Sequence, residues 1–444
     1  MTNKELTLAD QIENRTAQVG IVGLGYVGLP LAMSFAAKDY RTVGFDIDPA
    51  KIEQLAAGRS YIGHIPSAGL VGLVASGKLR ATSDFSEAAA MDALIICVPT
   101  PLKDGTDPDL QFVTTTAETL LPYIRAGQLI VLESTTYPGT CREVLLPILE
   151  RNGFKSGDDF FLAYSPERED PGNISHKLGT IPKIVGGDGQ NALKLAESLY
   201  SAVVAKTVPV SSLEVAEAAK LVENIFRSVN IALVNELKVI FEGMGIDVWE
   251  VIDAAKTKPF GYMPFYPGPG LGGHCIPIDP FYLSWRAQQF GMDARFIELA
   301  GEINTAMPRR VVDRLEKELT VRHGKSLTGA KILLIGLAYK KNVDDTRESP
   351  ALRLIELIEG RGASVAYHDP HVPVIPPTRE HPNLTGRKSV DLAPTTISNF
   401  IATLICTDHD GIDYAALVNA SNLVVDTRNV TAGIPDPEDK VVKA

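Results

Sequence analysis

Residues 19–28 read Val-Gly-Ile-Val-Gly-Leu-Gly-Tyr-Val-Gly, an apolar run that ends in the pattern G-x-G-x-x-G. At a junction of strand and helix this pattern is typical of a dinucleotide-binding fold. Gly23 permits a tight turn, Gly25 lets a pyrophosphate approach the backbone, and Gly28 lets the helix pack closely on the strand. The first N–H groups of the helix are then free for phosphate oxygens. We therefore expect a phosphate-binding turn at this point of the chain.

A second strand pattern follows this turn and ends at Asp46, roughly 20 residues past Gly28. A carboxylate there can accept a hydrogen bond from the ribose 2′-OH of NAD, whereas it would repel the 2′-phosphate of NADP. A glycine turn that only packs is the alternative, and the strand with its terminal aspartate argues against it. Val98-Pro-Thr100-Pro101 ends another strand pattern, at the sheet edge where such folds bind ligands, unless it is an ordinary proline-rich turn. The sequence therefore predicts NAD as the cofactor.

The 444 residues are too many for one core and suit two or three domains. With 45% apolar and 22% charged residues, the composition is that of a soluble globular protein rather than a disordered one. No apolar run reaches the ~18 residues that span a bilayer, and residues 1–15 lack the apolar stretch of a secretory signal. We expect a cytoplasmic protein with no membrane partner.

Charge and cysteine spacing exclude further classes. The net charge is −11, from 43 basic and 54 acidic side chains, and without a basic run it disfavours a nucleic-acid partner. The four cysteines are far apart and form no C-x-x-C pair, which disfavours both a disulfide framework and a thiolate zinc site. We expect reduced thiols and no metal.

Three parts with different hydrophobic periodicity follow one another, at 1–209, 210–323 and 324–444. In the first, short apolar runs alternate with helical stretches, which indicates βαβ units and a parallel sheet. The second opens with apolar residues every three or four positions over about thirty residues, one face of a long helix. The third repeats the plan strand–turn–helix–strand. Strands are predicted at 19–23, 42–46, 93–98, 129–133, 160–164, 183–186, 331–336 and 364–369, and helices at 211–243, 293–323 and 350–361. The predicted class is α/β, with two Rossmann-like parallel-sheet domains joined by a long central helix and a helical middle domain.

The most unusual stretch is Gly268-Pro-Gly-Leu-Gly-Gly-His274-Cys275-Ile-Pro-Ile-Asp279. Glycines beside a cysteine expose the backbone and admit a ligand, so Cys275 is predicted to be a thiol nucleophile rather than a buried hydrophobe. Asp279 could lie beside it, whereas the role of His274 stays open. By contrast, Cys97 and Cys406 stand in apolar strands and are expected to be core residues.

Lys220 and Asn224 are four residues apart on the long helix and therefore share a face. A solvated lysine is the alternative for Lys220, and Glu223 with Arg227 suggests an exposed ion pair. The apolar face of the same helix suggests a dimer core, unless another part of the chain covers it.

Together these motifs resemble the UDP-glucose/GDP-mannose dehydrogenase family, over residues 20–430. The stretches that carry the resemblance are Gly23-Leu-Gly-Tyr-Val-Gly-Leu-Pro30, Val98-Pro-Thr-Pro101, Glu133-Ser-Thr-Thr136, Ser165-Pro-Glu-Arg168, Lys220-Leu-Val-Glu-Asn224, Gly272-Gly-His-Cys275-Ile-Pro-Ile-Asp279 and Asp345-Thr-Arg-Glu-Ser349.

The resemblance implies a four-electron oxidation of a sugar C6 alcohol through a thiohemiacetal and a thioester on Cys275. It implies that Lys220 stabilises oxyanions, that Asp279 orders or activates water with help from Asn224, and that the third part binds UDP. The implied catalytic residues are Cys275, Lys220, Asp279, Asn224, Glu167 and Thr136. The cofactor-binding residues are Gly23, Leu24, Gly25, Tyr26, Val27, Gly28, Asp46, Val98, Pro99, Thr100 and Thr136. The substrate-binding residues are Glu167, Arg168, Lys220, Asn224, Tyr266, Gly272, Tyr339, Lys340 and Arg428.

Within the family, the stretch Tyr164-Ser-Pro-Glu-Arg-Glu-Asp-Pro-Gly-Asn173 looks most like the branch that oxidises UDP-N-acetylglucosamine in bacterial O-antigen and lipopolysaccharide pathways. The alternatives are UDP-N-acetylmannosamine, UDP-N-acetylgalactosamine and UDP-glucose. The resemblance also implies a homodimer or a higher homo-oligomer.

Three other classes compete with this interpretation. A short-chain epimerase needs Tyr-x-x-x-Lys, and no tyrosine of the chain has a lysine four places on. A one-step dehydrogenase would need no thiol, and a non-catalytic sensor that binds NAD or a nucleotide sugar gives no reason for the loop around Cys275.

Overall fold

The computed structural model describes residues 3–63, 65–103, 107–168, 179–273, 276–378 and 380–444. Cys275 and His274 therefore lie outside the described residues. In these ranges no helix combines the length and the apolar character that a membrane span requires. The chain forms two compact units, one from Met1–Glu223 with Phe281–Asp293 and the other from Asn224–Pro280 with Ala294–Ala444.

The first unit is built on an eight-stranded sheet, as far as the described residues show, in the order β10-β9-β8-β7-β4-β1-β2-β3. Its strands are β1 (Gln18–Val22), β2 (Arg41–Phe45), β3 (Leu79–Thr82), β4 (Ala93–Ile96), β7 (Leu129–Leu132), β8 (Phe161–Tyr164), β9 (Lys183–Gly187) and β10 (Thr207–Pro209), with β5 (Leu102–Lys103) and β6 (Asp107–Pro108) as a separate antiparallel pair. Its helices are α1 (Asn3–Glu13), α2 (Gly28–Ala37), α3 (Pro49–Ala56), α4 (Ser67–Ala75), α5 (Gln111–Leu120), α6 (Leu146–Leu149) and α7 (Gln190–Ser201).

The six strands predicted for this unit are present, and the differences lie at its edges. Strands β3 and β10 were not predicted because each is an edge strand with few buried side chains, so its sequence lacks an apolar run. Strand β9 runs antiparallel to β8, so the sheet is mixed rather than parallel throughout. A parallel neighbour would need a crossover connection, and the described residues between these two strands include no helix.

Long helices follow in the chain. Helix α8 spans Leu213–Gly243, and the chain then turns through Gly245 with a positive φ of 72°. The predicted long helix and its end are therefore confirmed. The next helices are α9 (Val248–Ala255), α10 (Asp279–Gln289) and α11 (Arg295–His323). Helix α10 was not predicted, although an aspartate followed by proline is a typical helix start.

A second, entirely parallel sheet completes the described chain, with the strand order β12-β11-β13-β14-β15. Its elements are β11 (Lys331–Ile335), α12 (Pro350–Gly360), β12 (Ser364–His368), α13 (Pro394–Ile397), β13 (Ala402–Ile405), α14 (Tyr414–Ala420), β14 (Val424–Asp426) and β15 (Val441–Lys443). The predicted fold class, two Rossmann-like sheets with a helical region between them in the sequence, is confirmed.

Candidate active site

The glycine turn between β1 and α2 has the geometry that a dinucleotide phosphate requires. Gly23 has a φ of 91°, and a Cβ there would lie 2.7 Å from the backbone oxygen of Cys97. A Cβ on Gly28 would lie 1.8 Å from the oxygen of Gly23, so this helix start packs directly on the turn. A Cβ on Gly25 would meet no atom within 4 Å. Two glycines thus close the turn, and the third leaves open space beside the backbone.

Asp46 follows β2 and holds this turn in place. Its buried carboxylate accepts the N–H of Leu24 at 2.9 Å and the ammonium of Lys51 at 3.0 Å. The hydroxyl of Tyr61 donates to the oxygen of Leu24 at 2.5 Å. Neither Lys51 nor Tyr61 was predicted from the sequence, because no motif names them. The role of Asp46 toward a ribose stays a prediction.

Residues after β4 and β7 meet at one edge of the sheet, because these strands pair in register from Ala93 with Leu129. Tyr282 on α10 donates its hydroxyl to the backbone oxygen of Thr100 at 3.0 Å. Thr136 is fully buried, and no described residue forms a hydrogen bond with its hydroxyl. An unpaired buried hydroxyl costs about 1–3 kcal/mol, which a bound ligand can offset. Together with the open space at Gly25, it fits a bound dinucleotide.

A buried charge cluster surrounds Glu167. The ammonium of Lys183 lies 3.0 Å from Glu133 and 3.2 Å from Glu167, and the hydroxyl of Tyr200 donates to Glu133 at 2.5 Å. Burial opposes the charge on Lys183, but the two carboxylates outweigh it and hold the lysine pKa above its ordinary value. Lys183 therefore stays protonated and fixes the predicted Glu167. The sequence reasoning missed Lys183, Glu133 as its partner, and Tyr200.

Arg168 forms an ion pair that the sequence did not indicate. Its guanidinium lies 2.5 Å from the carboxylate of Glu223 on α8 and also donates to the oxygen of Pro182. The interpretation of Glu223 as the partner of Arg227 is therefore wrong. Arg168 is therefore held in place by Glu223 and by the backbone of Pro182.

On α8, Lys220 and Asn224 are both buried. Lys220 is only 7% exposed, so the alternative of a solvated lysine is wrong. Asn224 donates its side-chain amide to the carboxylate of Asp279, the first residue of α10, at 2.6 Å. The structure thus brings together the predicted pair of residues for water activation, although they are far apart in sequence.

The glycine loop before Cys275 packs on the second sheet's first turn. A Cβ on Gly272 would lie 2.6 Å from that of Tyr339. Gly273 donates its N–H to the oxygen of Arg347 at 3.0 Å. Two of the predicted substrate residues, Gly272 and Tyr339, are therefore in contact, and Lys340 follows Tyr339 as a half-buried residue.

The two remaining predicted substrate residues lie in the same unit. Tyr266 stacks on Trp249 at 5.5 Å between ring centroids, with its hydroxyl 3.2 Å from Asp253. Arg428 lies against Gly268, where an added Cβ would be 2.8 Å from its guanidinium, and it donates to a backbone oxygen at 2.7 Å. The structure thus places Arg428 against Gly268 of the glycine loop, and Tyr266 against Trp249.

The described cysteines are not candidate nucleophiles. Cys141 and Cys406 are buried, and Cys97 is half-buried. Burial raises the pKa of Cys406 to about 12 and raises that of Cys97 well above its ordinary value. These thiols stay protonated at neutral pH, as expected of core residues. Among the described residues, no group of three or more His, Cys, Asp or Glu is placed to hold a metal.

Comparison with known proteins identifies the family. Residues 17–204 match the NAD binding domain of the UDP-glucose/GDP-mannose dehydrogenase family, 214–306 its central domain and 333–433 its UDP binding domain. The chain belongs to this family. The predicted NAD cofactor is thereby confirmed, and the chain is an NAD-dependent UDP-sugar dehydrogenase.

Relatives named for different sugar substrates have similar sequence identity to this chain. A UDP-N-acetyl-D-glucosamine 6-dehydrogenase of Pseudomonas aeruginosa is 38% identical over 80% of this chain and 83% of its own. An NDP-N-acetyl-D-galactosaminuronic acid dehydrogenase of Ralstonia solanacearum is 33% identical over 95% and 97%. The solved structure of a UDP-D-ManNAc dehydrogenase from Pyrococcus horikoshii superposes with a TM-score of 0.86 at 33% identity, over 96% of this chain and 98% of that one.

The open position at Gly25 and the crowded one at Gly28 give a paired prediction. Gly25→Ala should fold with a stability within about 1 kcal/mol of the natural chain. It should lose NAD affinity at least tenfold, by our rough expectation, because the methyl group occupies the space of the pyrophosphate. Gly28→Ala should instead destabilise the unit by about 1–3 kcal/mol, because its Cβ collides with backbone. Urea unfolding and calorimetric titration with NAD measure both effects. Unchanged NAD affinity in Gly25→Ala would contradict the proposed path of the pyrophosphate.

Proposed function

We propose that this enzyme oxidises the C6 hydroxyl of UDP-N-acetyl-D-glucosamine to the carboxylate in two steps, with two NAD per sugar, for bacterial polysaccharide synthesis. The observation that carries the two-step route is the buried hydrogen bond between Asn224 and Asp279. It positions a carboxylate four residues from Cys275 in the sequence, where hydrolysis of a thioester needs activated water. The choice of sugar is supported by relatives of that name at 38% and 35% identity.

The reaction begins with loss of the C6 alcohol proton and a hydride, which gives an aldehyde. The Cys275 thiolate adds to the aldehyde carbon and forms a thiohemiacetal, which loses a second hydride and becomes a thioester. Water then releases the carboxylate and the thiol. NAD, when bound, accepts the hydride in each oxidation. One alcohol, two NAD⁺ and one water thus yield one carboxylate, two NADH and three protons.

The protein's own residues act around these steps. The buried ammonium of Lys220 stabilises the oxyanions that form at C6. Asp279, held by Asn224, orders the hydrolytic water. Glu167, fixed by Lys183, contributes to the same hydrolysis, and Thr136 offers its unpartnered hydroxyl beside the nicotinamide. The substrate contacts proposed in addition are Arg168, Tyr266, Gly272, Tyr339, Lys340 and Arg428.

We further propose a cytoplasmic homodimer of three-domain chains, divided at 1–209, 210–323 and 324–444. Helix α8 supports the dimer, because apolar side chains along one side of it are exposed. Val222 is 58% and Phe226 50% exposed, and Leu233 and Ile240 continue the same stripe. Exposed apolar stripes of this kind mark protein–protein contacts. A second copy that presents the same helix would bury them.

The test is an NADH assay of the purified protein with UDP-N-acetylglucosamine, UDP-N-acetylmannosamine, UDP-N-acetylgalactosamine and UDP-glucose. We expect two NADH per sugar, and a kcat/KM for UDP-N-acetylglucosamine at least about tenfold above the others, since a misplaced hydroxyl or a misplaced or missing acetamido group leaves polar groups of the site unpaired. Equal turnover of UDP-glucose would overturn the choice of sugar. One NADH per sugar would indicate a one-step dehydrogenase, and none at all a binding protein.

A further inference from the structure

Lys238 on α8 is a buried cation without a hydrogen-bonding partner among the residues that the structure describes. Its side chain is 7% exposed, and its ammonium nitrogen has no hydrogen bond to any described residue. Buried lysines are normally paired, because an ammonium loses its hydration when it leaves water. This position therefore requires an explanation beyond packing.

The charged groups that face Lys238 come from three elements of its own unit. Glu242 lies one turn further along α8, Arg314 lies on α11, and Asp426 with Arg428 lies at the end of β14. The acidic groups have other partners. Glu242 is 2.9 Å from Arg314, and Asp426 accepts from the N–H of Arg428 at 2.8 Å and from the hydroxyl of Thr431 at 2.6 Å. Three cations thus converge with two acids that are already engaged.

Contacts of α8 with the glycine loop show where Lys238 lies in the second unit. Asn235, one turn earlier on the same helix face, accepts the N–H of Gly268 at 3.0 Å. Gly268 in turn lies against the guanidinium of Arg428. Lys238 and Arg428 therefore lie on the same side of the second unit, beside this loop. That unit includes residues 333–433, which match the family's UDP binding domain.

We propose that Lys238 binds the pyrophosphate of the nucleotide sugar together with Arg428, and that this anion is the partner that the lysine lacks. The proposal rests on the proposed function, because it takes Arg428 as a substrate contact. Charge-assisted hydrogen bonds to phosphate oxygens are among the stronger ones in proteins, and two converging cations match the two phosphates of UDP.

The proposal predicts that the protein takes up protons when UDP binds. Burial, together with Arg428 and Arg314, lowers the pKa of Lys238 to about 8, although Glu242 and Asp426 oppose the shift. A bound pyrophosphate would raise this pKa again. At about pH 8 the free protein should therefore take up a fraction of a proton when UDP binds, because the phosphates of UDP are fully ionised there and the lysine is only partly protonated.

The experiment compares Lys238→Met with Lys317→Met, which removes the same charge from an exposed position on α11. Calorimetry with UDP should show about 10- to 100-fold weaker binding for Lys238→Met, and affinity near that of the natural chain for Lys317→Met. Thermal unfolding should show that Lys238→Met is no less stable, because it removes an unpaired buried charge.

Proton uptake is measured on the natural chain by titration at about pH 8 in two buffers of different ionisation enthalpy. This measurement needs no variant, so it tests the role of Lys238 even if Lys238→Met fails to fold. UDP binding without proton uptake, or equal UDP affinity in the two variants, would overturn the role of Lys238 and leave the proposed function intact. A natural chain that binds no UDP would overturn both.

Discussion

Cys275→Ser should lose the yield of two NADH per sugar and reduce complete turnover by roughly three orders of magnitude or more. The reason is chemical. An aldehyde carries no hydride-donating alkoxide until a nucleophile adds to it, and a serine hydroxyl is almost entirely protonated at neutral pH, whereas a thiol ionises readily. Without the covalent step the aldehyde is free to return to the alcohol or to leave. The measurement is NADH released per UDP-N-acetylglucosamine, followed to completion.

The matched control is Cys141→Ser. Cys141 is buried, and its backbone N–H donates to Glu217 at 2.9 Å, an interaction that a serine retains. This variant should keep two NADH per sugar. If Cys275→Ser also gave two NADH at an undiminished rate, the covalent route would be wrong, and hydration of the aldehyde would have to supply the second hydride donor.

The glycine turn and its aspartate could be predicted from the sequence because their parts are adjacent in the chain. Glycine spacing, the strand before it and the aspartate after the next strand define one βαβ unit, and the structure places all of them as expected. Lys183 could not be found in this way. It opens a short strand, and its carboxylate partners, Glu133 and Glu167, are 50 and 16 residues away. Only the folded sheet brings the three together.

Helix α8 shows a second limit of sequence patterns. Its apolar stripe identified the helix correctly, but Val222, Phe226 and Leu233 in that stripe are exposed in the single chain. The buried side instead carries many polar residues beside apolar ones such as Leu221 and Val234. Its buried residues include Glu217, Lys220, Asn224, Ser228, Asn235 and Lys238. A helix that buries polar residues and exposes an apolar stripe inverts the usual pattern, so the pattern predicts the element but not the direction of its faces.

Lys183→Met should destabilise the protein by about 3–5 kcal/mol at neutral pH, because it removes the cation beside a fully buried carboxylate. In this variant Glu133 would keep the hydrogen bond from the hydroxyl of Tyr200 but lose the positive charge of Lys183. Lys155→Met is the control, since this lysine pairs with Glu150 at 2.6 Å but is 62% exposed. An exposed pair contributes at most about 1 kcal/mol. Urea unfolding of both variants, compared with the natural chain, measures the difference.

The pH dependence distinguishes a lost ion pair from a simple loss of packing. An unpaired buried carboxyl has a folded-state pKa above its unfolded value of about 4.3, so its destabilising effect grows as the pH rises past that value. The unfolding free energy that Lys183→Met loses relative to the natural chain should therefore be small near pH 4 and large at pH 7. Adding Glu133→Gln, which is neutral and can still accept from Tyr200, should restore much of the stability at pH 7. If the loss of unfolding free energy in Lys183→Met were constant with pH, or as small as that in Lys155→Met, the attraction between the charges of Lys183 and Glu133 would contribute nothing to stability beyond packing contacts. Lys183 would then position Glu167 by packing and hydrogen bonding rather than by charge attraction.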